Sequence, residues 1–117
     1  MKTSVVSSIG PMALAFEDEK VIILFGPKAP NELKDVSIIH ETKEYDYQPL
    51  KVGTRLVLGT HEYTIEKIGT EAYNNLTELG HISVYFTDAP AEVLPGSIYV
   101  TPHIFPRLTP GDEIKFL

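Results

Sequence analysis

The chain has 117 residues, 43% of them hydrophobic, and a formal net charge of −6. That length and apolar share suit one compact domain over residues 1–117, because two would leave each half too small to bury a core. The acidic balance, with no Lys/Arg cluster to override it, argues against nucleic acid as a partner, and the lack of cysteine removes disulfides, thiolate–zinc sites and thiol nucleophiles.

The stretch from Met1 to Phe16 has one lysine and no long apolar run, so it does not read as a signal peptide. No segment approaches the roughly 18 consecutive apolar residues of a membrane helix. No direct membrane insertion is expected, and the expected location is cytoplasmic. Nine prolines and eight glycines punctuate short apolar runs, which favours short strands over long helices.

Val21 to Phe25 is a continuous apolar run closed by Gly26-Pro27 and reads as a buried strand. Pro30 to Lys34 can form one helical turn with Pro30 at its start. Val36 to Ile39 is a second β-branched run and ends at His40. Thr54 to Leu58 follows Gly53 as a third strand, Gly59-Thr60-His61-Glu62 reads as a hairpin connection, and Tyr63 to Ile68 returns with Tyr63 and Ile65 on one face. Glu71 to Leu79 is the one good helix candidate. Ala72, Leu76 and Leu79 fall on one face, with Thr70 as N-cap and Gly80 just past the end. His81 to Phe86 alternates, with Ile82, Val84 and Phe86 facing one way. Pro95-Gly96 turns into a strand from Ser97 to Thr101, and Pro110-Gly111 turns into a last strand from Glu113 to Leu117. Seven or eight short strands with one short helix give a mainly all-β fold. A small closed or nearly closed β-barrel fits, since closure removes exposed strand edges. A sandwich with one covering helix is the structural rival, and periodicity does not choose between them.

The side chains that can carry chemistry are the histidines at positions 40, 61, 81 and 103. His40 ends an apolar strand, where a rigid element would hold the ring while its edge meets solvent, as a reacting group needs; its ordinary alternative is a half-exposed strand-end histidine. His81 opens a strand on its polar side, either as a second site residue or as a loop-bonding one. His61 in a turn and His103 beside Pro102 read as ordinary surface residues. None of the four has a close two-histidine spacing that would suggest a metal. Ser37 lies in no G-x-S-x-G elbow, and no G-x-x-x-x-G-K-[ST] loop is present to hold a nucleotide.

The segment Asn75-Leu76-Thr77-Glu78-Leu79-Gly80-His81, continuing to Phe86, resembles the N-L-x-E-L-G-H-x-x-x-x-F stretch of the glucitol/sorbitol-specific IIA components of the bacterial phosphotransferase system. Ile38-Ile39-His40 is similar to that family's active-site region, and Pro95-Gly96 and Pro110 to Phe116 resemble its later turns and last strand. The similarity spans nearly the whole chain. One departure is Thr42, where some members carry a second histidine.

The resemblance implies a phosphotransferase in sugar (hexitol) uptake. A histidine, here His40, takes a phosphoryl group from the histidine phosphocarrier protein and passes it to the IIB component, with a membrane IIC component completing transport. It implies no cofactor and no metal. His81 becomes a possible supporting residue. Phosphorylation on Nε2 is implied as well, so Nδ1–H of His40 is expected to donate to a backbone carbonyl or another acceptor, with the ring accessible on a fairly flat surface. The phosphate would bring roughly −1.5 to −2 charges into an acidic protein, for which backbone N–H groups, Lys43 or a partner's arginine are candidate counterparts. The rival functions are a non-catalytic regulatory domain of the same fold and a metal- or ligand-binding β-barrel.

Overall fold

A computed structural model describes residues 2–44 and 49–117. In chain order the elements are β1 (Lys2–Ile9), β2 (Val21–Phe25), α1 (Asn31–Lys34), β3 (Ile38–Glu44), β4 (Arg55–Leu58), β5 (His61–Ile68), α2 (Ala72–Leu79), β6 (Ile82–Tyr85), β7 (Ser97–Thr101) and β8 (Glu113–Phe116). The strands close into a barrel in the order β1-β3-β2-β6-β7-β5-β4-β8, with β8 paired back to β1. The expected barrel is therefore the observed architecture, and the sandwich is not.

Two neighbouring pairs, β2/β3 and β6/β7, are parallel; the other pairs are antiparallel. A parallel pair needs a crossover, because the chain must return to the starting end before the next strand can begin. Residues 26–37, containing α1, make the first crossover, and residues 86–96 make the second.

Alternation along the strands fills the barrel. Ile22 and Leu24, Leu56 and Leu58, Tyr63 and Ile65, Ile82 and Val84, and Ile114 and Phe116 all join one buried core. α2 adds Ala72 and Leu76 to the same core. A helix reaches the interior of a closed barrel only through an open end, so α2 plugs one mouth. On the far side of the wall, Phe25, Ala29 and Ile39 form a second small cluster under the α1 crossover.

Several boundaries differ from the sequence reading. The strand expected over Val36 to Ile39 starts at Ile38 instead and continues to Glu44, so His40 lies inside a strand and not at its end. His61 belongs to β5 and pairs with Leu58, which leaves a two-residue turn of Gly59 and Thr60, with Gly59 at φ 63°. Thr70 does not cap α2. The N-cap is Glu71 without a side-chain cap bond, and the free N–H groups there donate to the backbone, Glu71 N–H to Pro95 O and Ala72 N–H to Gly69 O. Leu79 is 51% exposed rather than part of the buried helical face, because the last turn of α2 leaves the barrel mouth. The first strand, β1, has no counterpart in the sequence reading.

Candidate active site

His40 projects into the barrel from β3. Its partner across the antiparallel ladder is Val6 on β1, a core residue, and directly opposed residues share a face. Ser4 on β1 sits opposite Thr42, two residues along from His40, and so is its diagonal neighbour on that same inner face. A register shift between Val6 and Ser8 bulges β1 next to this pair, a device that re-aims side chains at the rim of a barrel.

Both ring nitrogens of His40 are engaged. Nε2 lies 2.7 Å from the Gly80 carbonyl oxygen, and Nδ1 lies 2.8 Å from the Ser4 hydroxyl. A carbonyl oxygen can only accept, so Nε2 carries the hydrogen; in the neutral ring the Ser4 hydroxyl then donates to Nδ1. His40 is 1% exposed and Ser4 2% exposed. The expectation of an accessible ring on a flat surface is thus corrected. The ring is inside the barrel wall, and its hydrogen-bonded carbonyl is at Nε2, not Nδ1.

Outside the Gly80 contact lies a pocket of about 430 Å³. Its wall includes Phe25 from the end of β2 and Lys28 from the turn that follows it, His40 and Thr42 from β3, and Leu79 and Gly80 from the end of α2. Glu41 and Glu78 also border it, so Lys28 shares the pocket with carboxylates. The end of α2 is pinned there by the Gly26 N–H donating to Leu79 O at 2.9 Å. Gly80 closes the helix in the left-handed region at φ 66°, a conformation glycine adopts without penalty.

His81 follows Gly80 but its ring turns the other way. Nδ1 lies 3.2 Å from Leu24 O, and the ring stacks on Phe25 with centroids 4.4 Å apart. It holds Phe25, one wall of the pocket, and so sits behind the site rather than in it. His61 tilts against Tyr63, and His103 Nε2 stands 3.7 Å from the exposed Asp88 carboxylate; neither lines the pocket. Among the described residues no three His, Asp or Glu side chains converge as a metal site.

The family model for the glucitol/sorbitol-specific IIA component of the phosphotransferase system matches residues 1–115. The chain belongs to the glucitol/sorbitol-specific IIA family. The glucitol/sorbitol-specific EIIA components of Escherichia coli K12 and of Shigella flexneri are each 30% identical over 111 residues, covering 95% of this chain and 89% of theirs. The crystal structure of a phosphotransferase-system IIA component from Enterococcus faecalis V583 superposes with a TM-score of 0.93 at 37% identity, covering 98% of both chains. A member of this family is a phosphotransferase, a phosphocarrier that serves sugar uptake by carrying a phosphoryl group on a histidine.

Ser4 and Gly80 are the site residues that reasoning from sequence misses. Gly80 is visible there as a helix terminator but not as a partner of His40. Ser4 gives no signal, since a serine near the N-terminus has no motif, and only the β1/β3 register brings it to the ring.

Proposed function

We propose that His40 is the phosphoryl acceptor of this IIA protein, with Nε2 as the attacking nitrogen. The observation that carries this reading is the asymmetry around the ring: Nδ1 faces the buried Ser4 on the barrel wall, whereas Nε2 faces the pocket side, where Gly80 at the end of a helix lies over it. A partner that seats in the pocket and draws the Gly80 carbonyl aside uncovers Nε2 at the cost of that hydrogen bond. His81 acts as a supporting residue through Phe25, whose ring forms the pocket wall.

The donor is the phosphorylated histidine phosphocarrier protein and the recipient is the IIB component of a hexitol transporter in the cytoplasm. In the transfer, Nε2 first gives up its proton to solvent while Nδ1 carries one in its place, and the freed Nε2 lone pair then forms the new N–P bond as the donor's bond to phosphorus breaks, its electron pair returning to the donor. Such a loose transition state asks mainly for in-line placement and charge stabilisation. Lys28 on the pocket wall is suited to the added negative charge, and backbone and partner groups complete it.

The test is labelling with radioactive phosphoenolpyruvate, enzyme I and the phosphocarrier protein, comparing the native chain with His40→Ala and His40→Gln. Acid-labile, alkali-stable label that is lost in both variants supports the assignment. Label that persists moves the site elsewhere. No label on the native chain, with an active carrier, leaves the non-catalytic regulatory reading in its place.

A further inference from the structure

We propose that Ser4 is the positioning residue of His40, and that its hydroxyl changes from donor to acceptor when the ring becomes reactive. The inference rests on the reading of His40 as phosphoryl acceptor and names the group that serves Nδ1 in both of its tautomers.

In the structure the Gly80 carbonyl fixes the hydrogen on Nε2. A nitrogen that bears a hydrogen has no in-plane lone pair and cannot attack phosphorus. Nε2 becomes a nucleophile only when its proton has left to solvent and Nδ1 carries one instead. The exchange balances through the doubly protonated ring. Nδ1 first gains a proton by way of the Ser4 hydroxyl, which passes its own hydrogen to the ring and takes another from water; both ring N–H groups then donate, and Nε2–H is lost to solvent as Gly80 withdraws. Throughout, Nδ1 stays buried against β1, so whatever lies opposite must accept both states.

A hydroxyl meets that requirement. It donates to a bare Nδ1 and, by rotating its hydrogen away, accepts from Nδ1–H with the oxygen in the same place. A carbonyl at this position would lock Nδ1–H, and an N–H would lock the opposite tautomer. Ser4 Oγ lies 2.8 Å from Nδ1, is almost fully buried, and is held by strand pairing on both sides, with Thr42 of β3 and with Ile114 of β8. The short side chain on a rigid strand fixes the orientation of the ring, so that Nε2 is aimed at the pocket in either protonation state. In the phosphorylated protein, Nδ1–H donates to Ser4 Oγ.

The experiment compares Ser4→Thr with Ser4→Val, which have the same shape and differ in the hydroxyl, alongside Ser4→Ala. Two readouts are taken. Nitrogen-15 NMR of the His40 ring reports which nitrogen bears the hydrogen, before and after phosphorylation. Rapid-quench labelling reports the rate of phosphoryl gain from the phosphocarrier protein. The expected result is that the native chain holds Nε2–H unphosphorylated and Nδ1–H phosphorylated. Ser4→Thr keeps both signatures, while Ser4→Val and Ser4→Ala keep Nε2–H at rest, held by Gly80, but shift the Nδ1 resonance and accept phosphate about tenfold more slowly or worse. Native ring signals and a native rate in Ser4→Val overturn the proposal while leaving His40 as the acceptor. If instead the native chain takes no label at His40, the underlying assignment fails, and the ring signals of the unphosphorylated protein still report whether the Ser4 hydroxyl holds Nδ1. Should Ser4→Val not fold, Ser4→Ala measured against the native chain carries the same two readouts.

Discussion

Gly26 and Gly80 meet backbone to backbone. A Cβ on Gly80 would stand 2.8 Å from the Gly26 nitrogen and 2.9 Å from its Cα, and a Cβ on Gly26 would stand 2.7 Å from Leu79 O. This close approach lets the end of α2 lie against the end of β2, and it delivers the Gly80 carbonyl to His40. The glycine of the N-L-x-E-L-G-H segment thus lies against His40 and belongs to the candidate site.

Gly80→Ala meets both a backbone clash and a left-handed backbone at φ 66°. It should cost about 1–3 kcal/mol, read as a lower midpoint in urea unfolding. Because the helix end must shift, the Nε2–H resonance of His40 should move as well. An unchanged ring signal would mean that the Gly80 carbonyl does not govern Nε2.

His40→Gln should fold but carry no phosphoryl group. The glutamine amide can still donate toward Gly80 O, whereas His40→Ala leaves the buried Ser4 hydroxyl and the Gly80 carbonyl facing a cavity. The alanine variant should therefore lose about 2–4 kcal/mol and the glutamine variant less. Thermal melts of both, run beside the labelling assay, separate loss of the acceptor from loss of the fold.

Leu76→Ala tests the plug. Leu76 is 1% exposed and belongs to the barrel core, so truncation should cost about 2–5 kcal/mol. Leu79→Ala, at an exposed position on the pocket rim, should change stability by under about 0.5 kcal/mol. A reversed order of the two would mean that α2 is not seated in the barrel mouth.

Much of this architecture is legible in the sequence because the signals are local. Gly26-Pro27, Gly59 and Gly80 end elements as their residue types suggest, and the alternation from Ile82 to Phe86 identifies which face is buried. What cannot be read is non-local. β1 carries serines on a face that points inward at Ser4, so it lacks the apolar alternation that marks a strand. α2 takes its N-terminal capping from the Pro95 carbonyl, a tertiary partner, and not from Thr70 beside it. His40 looks like a strand end because the charged run Glu41 to Glu44 follows it; that run instead continues β3 opposite β1.

Tyr63 sets an alkaline limit. Burial pushes its phenol up to about 12 from 10.0, and its hydroxyl donates to Ile104 O. The fold buries the neutral form, so this group leaves stability unchanged below pH 10 and lowers it as pH rises from 10 toward 12. Stability of the native chain should fall through that window more steeply than that of Tyr63→Phe. The Phe variant should lose about 1 kcal/mol at neutral pH. Parallel losses of stability for the two above pH 10 would contradict the assignment.

The barrel seam joins the first strand to the last, with Lys2 opposite Phe116 and Ser4 opposite Ile114. Ser4 therefore takes its final place only when β8, the last strand in chain order, has docked. On a ribosome, residues 2–44 emerge before residues 113–116, so His40 is synthesised before the strand that flanks Ser4 on its other side. With Ser4 positioning His40 as proposed, a nascent chain stopped short of β8 would present the histidine beside a serine held by strand pairing on one side only.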